Sequence, residues 1–157
     1  MNIGGALAGG FVGTLVLTTA LRAASELGWT RMDIAFLLGT VFSGDRFRAK
    51  VIGYLLHFGT GLVFALLYAL VLGALHRSGW LAGALLGALH ALFFGTVVVN
   101  LLLPVVHPRM GSSLSASDSA PLIEPPGLMM LNYGRNTPVI TLLAHMAYGA
   151  LIGHFLR

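Results

Sequence analysis

Residues 51–75 read VIGYLLHFGTGLVFALLYALVLGAL, and after His76-Arg77-Ser78-Gly79 the chain continues with residues 80–103, WLAGALLGALHALFFGTVVVNLLL. Neither run holds an Asp, Glu, Lys or Arg. A helix rises about 1.5 Å per residue and the hydrocarbon core of a bilayer is about 30 Å thick, so each run is long enough to cross. Four linking residues leave no room for anything but a tight turn. The two helices are therefore expected to lie side by side and antiparallel.

The rest of the chain follows the same pattern. It has 157 residues, of which 57% are hydrophobic and only 9% charged, with a mean hydropathy of +0.88. A soluble domain carries roughly 25% charged residues, so this composition calls for lipid rather than water around it. Two further spans lie at about 3–21 and 138–156. Without water in the hydrocarbon region each span must satisfy its own backbone hydrogen bonds. No proline interrupts the four runs, and continuous helices are expected. The chain reads as one domain, residues 1–157: an all-α integral membrane protein, a four-transmembrane-helix bundle with a short amphipathic interfacial helix in the first connection.

That interfacial helix is placed at about 31–43. Thr30 and Asp33 stand in capping-box spacing, and Ile34, Leu37, Leu38, Val41 and Phe42 form one apolar stripe that stops at Gly44. Such a helix is too short to cross and is expected on the membrane surface or against a partner, followed by Arg46, Arg48 and Lys50 at the headgroups. The long loop 104–137 holds a Ser-rich piece, Pro125-Pro126-Gly127 and the apolar patch 128–131; a loop of this length is functional, ordered by a partner, or a plain connector. Asn136-Thr137-Pro138 marks the start of the fourth helix.

Charge supplies a topology. The connections 22–50 and 104–137 hold seven of the nine basic residues, against Arg77 and Arg157 on the other side. The positive-inside rule then puts both long connections in the cytoplasm and both termini outside. The first basic residue is Arg22, too late for the basic region of a signal peptide, and the first span is expected to remain in the mature protein. Without cysteine there is no disulfide, thiolate-held cluster or thiol nucleophile. No basic run points to nucleic acid. No hydrolase, nucleotide-binding or zinc-protease motif occurs, which argues against an enzyme.

Small residues recur at four-residue spacing: Gly5, Gly9 and Gly13; Gly83, Gly87, Ala91 and Gly95; Gly149 and Gly153. Lipid tails are as apolar as leucine, so membrane helices associate by close backbone approach, which such faces permit. The histidines lie on the same faces. His57 is flanked by Gly53 and Gly61, His90 follows Gly87, and His145 precedes Gly149. An ionisable residue at that depth points into the bundle or an interface. His154 falls on the opposite side of its helix. The three are open to several readings: imidazoles bonded to a carbonyl or a hydroxyl such as that of Thr60, Tyr54 or Tyr148 as interhelical glue, axial ligands of haem b or ligands of a metal ion, or partners of a quinone. Asn100 reads as an interhelical hydrogen bond; His107, Asp118 and Glu124 read as parts of a solvated loop, with a surface metal as the alternative.

Gly13-Thr14, Met32-Asp33, "HFGTGLVFALLYAL" (57–70) and "LLAHMAYGALIG" (142–153) together resemble a family of uncharacterised small four-transmembrane-helix prokaryotic membrane proteins. The resemblance implies a four-helix fold and makes His57 and His145 positions of interest. It implies no activity. The expected function is an accessory or structural subunit packed among other membrane protein subunits, or a homo-oligomer, in contact with lipids. The alternative is a redox protein binding haem b, a metal or quinone through His57, His90 and His145. A pore formed by oligomers ranks last, for want of a charged lining.

Overall fold

Each apolar run is helical in the computed structural model, which describes residues 2–111 and 123–157. Helix α1 is Ile3–Glu26, α2 Ile34–Gly39 and α3 Arg46–Ala74; the third span is α4 (Trp80–Phe93), a π-helical segment (Phe94–Leu102) and α5 (Leu103–Val106) in one unbroken run; α6 is Thr137–Phe155. Four helices are long and apolar enough to cross a membrane. The chain is an all-α integral membrane protein. Among the described residues there is no strand, and one isolated bridge pairs Met110 with Ile123.

Close backbone approach sets the order of helices. A β-carbon on Gly83 would strike the Gly149 carbonyl, and one on Gly87 the His145 carbonyl. The α4–α6 seam is built from these glycines and Gly153, whose own β-carbon would sit 3.1 Å from Gly83 Cα. On its other side α6 meets α1, where a β-carbon on Gly9 would lie 2.9 Å from Ile152 Cα and one on Gly13 2.9 Å from the Tyr148 ring; Gly5 abuts the Phe155 carbonyl. Helix α1 in turn packs on α3, with Gly10 against Ala65 and Gly61 against Thr14. The sequence of neighbours is thus α4, α6, α1, α3. The expectation that α3 and α4 would be close neighbours is corrected. Their backbones hardly meet, because the glycines of α4 face α6 and the turn is itself held to α6 by a 2.9 Å bond from Gly79 N–H to the Gly153 carbonyl.

The third span also departs from a regular helix. Pro104 has no N–H to donate, and its ring excludes the Asn100 carbonyl from its usual place one turn back. The chain accommodates both by widening into π geometry over Phe94–Leu102, a stretch that includes the β-branched run Thr96-Val97-Val98-Val99, and continues to Val106.

The helix in the first connection is shorter than the apolar stripe suggested. Asp33 caps it, its side chain accepting from Phe36 N–H at 3.0 Å. It ends at Gly39 and is drawn onto α3: Gly39 lies against the Ala49 backbone, and Gly53 against that of Ala35. Thr30 bonds the Thr137 hydroxyl at 2.7 Å rather than closing a capping box. Asp33 also pairs with Lys50 at 2.9 Å, tying the cap to α3.

Beyond Ile123 the long loop returns as an ordered strap. Arg31 N–H donates to the Tyr133 carbonyl at 2.7 Å, the Arg31 guanidinium reaches the Asn132 carbonyl and Glu124, and Tyr133 donates to the Glu124 carbonyl at 2.7 Å. Burial pushes the Tyr133 phenol up to about 12, with the nearby Glu124 charge adding to it. Met129 and Met130 are held in the left-handed region at φ 51° and 60°. Met129 packs on Gly95, and Met130 is buried in the core. The Ser-rich piece and Asp118 lie outside the described residues.

Candidate functional site

The separation of α3 from α4 leaves a cavity of about 160 Å³ between them. Its back wall is Thr14, Leu17 and Leu21 of α1 with Thr141, His145 and Tyr148 of α6; its sides are His57, Thr60, Gly61 and Phe64 of α3 against His90, Phe94, Val98 and Val99 of the third span. Met32, Ile34, Leu37, Leu38, Leu103 and Met130 close the end nearest α2. Among the described residues of the lining there is no Lys, Arg, Asp or Glu.

Two clasps bound this space. At the end toward the α3–α4 turn, rings bridge the gap: Phe64 stacks on His90 at 4.3 Å, Phe94 meets Phe64 edge-on at 5.4 Å, and the Tyr68 hydroxyl lies 3.0 Å from His90 Nδ1. At the other end α2, seated on α3, is gripped from the foot of the third span. Arg109 N–H donates to His107 Nδ1 at 3.2 Å, which leaves the proton on Nε2 to donate to the Leu37 carbonyl at 3.2 Å. Arg109 Nη1 donates to the Thr40 carbonyl at 2.5 Å. Both side chains thereby satisfy carbonyls that the end of a helix leaves free. His107 is 2% exposed, and burial, with the Arg109 charge beside it, holds its imidazole below the ordinary range. The surface-metal reading of His107 and Glu124 is corrected: the first is buried under α2, and the second pairs with Arg31 at 3.2 Å.

The three histidines do come together around one cavity. The rings of His90 and His145 touch edge to face with centroids 5.0 Å apart, and His57 lines the same space from α3. The imidazoles of His90 and His145 bond to a hydroxyl and a carbonyl, as the glue reading expects, but not to those of Thr60, Tyr54 or Tyr148: His90 Nδ1 has the Tyr68 hydroxyl across the gap. His145 Nδ1 bonds the Thr141 carbonyl of its own helix at 2.8 Å; Thr60 bonds back to Leu56 and His57 carbonyls; Tyr148 donates to the Gly61 carbonyl at 2.5 Å. Asn100 makes no side-chain hydrogen bond among the described residues. His57 Nε2 and Thr141 Oγ1 are buried with no partner. His154 stands apart, exposed beside Phe155. Among the described residues no three His, Asp or Glu side chains are grouped as a metal site.

Phe64, Phe94 and Thr141 were missed as site residues, though each sits on a histidine's face: seven after His57, four after His90 and four before His145. Tyr68, eleven after His57 and four after Phe64, was missed on that same face, whereas Met130 carried no such signal. The packing glycines are placed where close approach requires them, with Gly95 facing the Met129 strap rather than a helix. Comparison with known proteins finds no matching family model, no matching curated protein and no matching solved structure.

Proposed function

We propose that this protein binds a lipid-soluble ligand in the cavity between α3 and α4, with the ligand's polar group among His57, His90 and His145. One observation carries the reading: an apolar cavity between two membrane helices holds polar atoms left without partners, His57 Nε2 and Thr141 Oγ1. An unmet buried polar group costs about 1–3 kcal/mol, and a ligand that meets it recovers that cost. Metal binding finds no grouped ligand set among the described residues. Haem b held between His90 and His145 would require a macrocycle between rings already in contact. A quinone-sized or smaller lipophile fits the same lining.

The accessory-subunit reading keeps less support. Most small-residue faces are engaged within the chain, and of the span glycines only Gly59 and Gly73 meet nothing within 4 Å; both lie on one face of α3, which is where a partner helix would dock. The setting proposed with the ligand-binding reading is a prokaryotic cytoplasmic membrane with both termini outside, from the seven basic residues on the α2 side against two. In this cysteine-free chain, a cysteine introduced at Ser78 is expected to react with an impermeant reagent added from outside; reaction from the cytoplasm alone reverses the orientation.

The test is mass spectrometry of lipophiles that co-purify in nanodiscs. Native protein is expected to retain a stoichiometric neutral lipophile, and Val98→Trp, which fills the cavity, to lose it while keeping its helix content. Equal retention by both would show that the bound lipid sits elsewhere and end this reading.

A further inference from the structure

The ring of His145 has a defined tautomer. Its Nδ1 faces the Thr141 carbonyl at 2.8 Å, and a carbonyl only accepts, so Nδ1 carries the proton. The uncharged imidazole then offers Nε2 as a bare acceptor, and this atom has no hydrogen-bond partner among the described residues. The same cavity offers hydroxyl and ring atoms that can donate, Thr141 Oγ1 on the α6 wall and His57 Nε2 on the α3 side, both buried and unmatched.

These atoms select among polar groups. A carboxylate or ammonium would enter a lining whose described residues include no Lys, Arg, Asp or Glu, and an uncompensated charge in such surroundings is strongly disfavoured. An uncharged group remains. Ketones, esters and ethers only accept, which satisfies Thr141 or His57 and leaves His145 Nε2 unmet. A hydroxyl donates one hydrogen bond and accepts two. Resting on the ligand-binding reading above, we infer that the ligand class is a neutral lipophilic alcohol or phenol whose hydroxyl donates to His145 Nε2 and accepts from the Thr141 hydroxyl or the His57 ring. A quinol belongs to this class and its quinone does not, so the site favours the reduced member of such a pair.

The experiment titrates the full chain in nanodiscs with decanol, decyl methyl ether, decane and decanoate, subtracting empty nanodiscs, while nitrogen NMR follows the histidine rings. Decanol is expected to bind about tenfold or more tightly than the ether or the alkane, to shift the His145 Nε2 resonance in the direction of an accepted hydrogen bond, and to outcompete decanoate. In His145→Phe the preference for decanol over decane is expected to vanish while decane still binds. Should decanol, ether and decane bind alike, or His145 Nε2 stay unmoved, the cavity still binds lipophiles and the hydroxyl assignment is overturned. Should none bind, the ligand-binding reading falls together with it. The ring resonances of the unaltered protein decide the matter even if the variant fails to fold.

Discussion

Two seams of this bundle involve α4, and they could hardly differ more. Toward α6 it presents Gly83 and Gly87 to Gly149, Gly153 and the His145 carbonyl, with backbones so close that no side chain fits between. Toward α3, its neighbour in sequence, it presents His90, followed by Phe94 of the π-helical segment, and the contact reduces to a few rings around a cavity. Sequence proximity favours the second seam and small residues favour the first. In a bilayer there is no gain from hiding leucine, so close packing decides. The outcome separates two jobs: one seam holds the fold together, and the other holds space.

The sharpest way to break this comparison is to damage the tight seam. Gly87→Leu places a branched side chain against the His145 backbone, and overpacking of this kind costs about 3 kcal/mol. A large fall in the melting temperature in detergent is expected. An unchanged melting curve would mean that α4 has another partner in solution.

The open seam is tested more gently at its α2 end. His107 is buried uncharged, with Nδ1 accepting from Arg109 N–H. Because its folded pKa lies below the ordinary 6.5, the unfolded chain takes up protons more readily. The stability from this group is therefore complete above about pH 6.5 and declines as pH falls below it. Thermal unfolding should show a loss of about 1 kcal/mol on acidification, absent in His107→Gln. A native profile as flat as that of the variant would mean that the clasp takes no part in stability.

The smallest effect is expected at the other clasp. Tyr68→Phe removes the hydroxyl shared between His90 Nδ1 and the Leu86 carbonyl, and hydrogen bonds between membrane helices average about 0.6 kcal/mol. A loss several times larger would show that the ring clasp, and not the glycine seam alone, sets the position of α4.

The sequence discloses the four spans because hydropathy over some twenty residues is a strong signal, and it discloses Asp33 as a cap because capping is local. The glycine faces are legible as faces. Their partners are not: spacing states which side of a helix is smooth and leaves open which other helix lies against it, so the four-residue turn suggested the wrong neighbour for α4. The depth and face of His57, His90 and His145 are readable from helical periodicity, whereas their meeting depends on the order of helices. The widening at Phe94–Leu102 has a visible cause in Pro104, which lies just past the predicted end of the span. The strap is the least legible part, since Met129 and Met130 adopt a backbone that glycine would favour and are held there by docking on Gly95 and in the core.

The α4–α6 seam also imposes a timetable. During synthesis α4 reaches the bilayer well before α6, and the long loop from His107 to Asn136 must be made between them. Throughout that interval the glycine face of α4 has no partner, and α3, already beside it, offers none. The bundle closes only when α6 is made and inserts between the first and the third spans, with Gly79 ready to receive its end. A chain released before residue 137 is thus expected to hold three inserted helices and no finished fold, its smooth faces open to other small-residue helices in the same membrane.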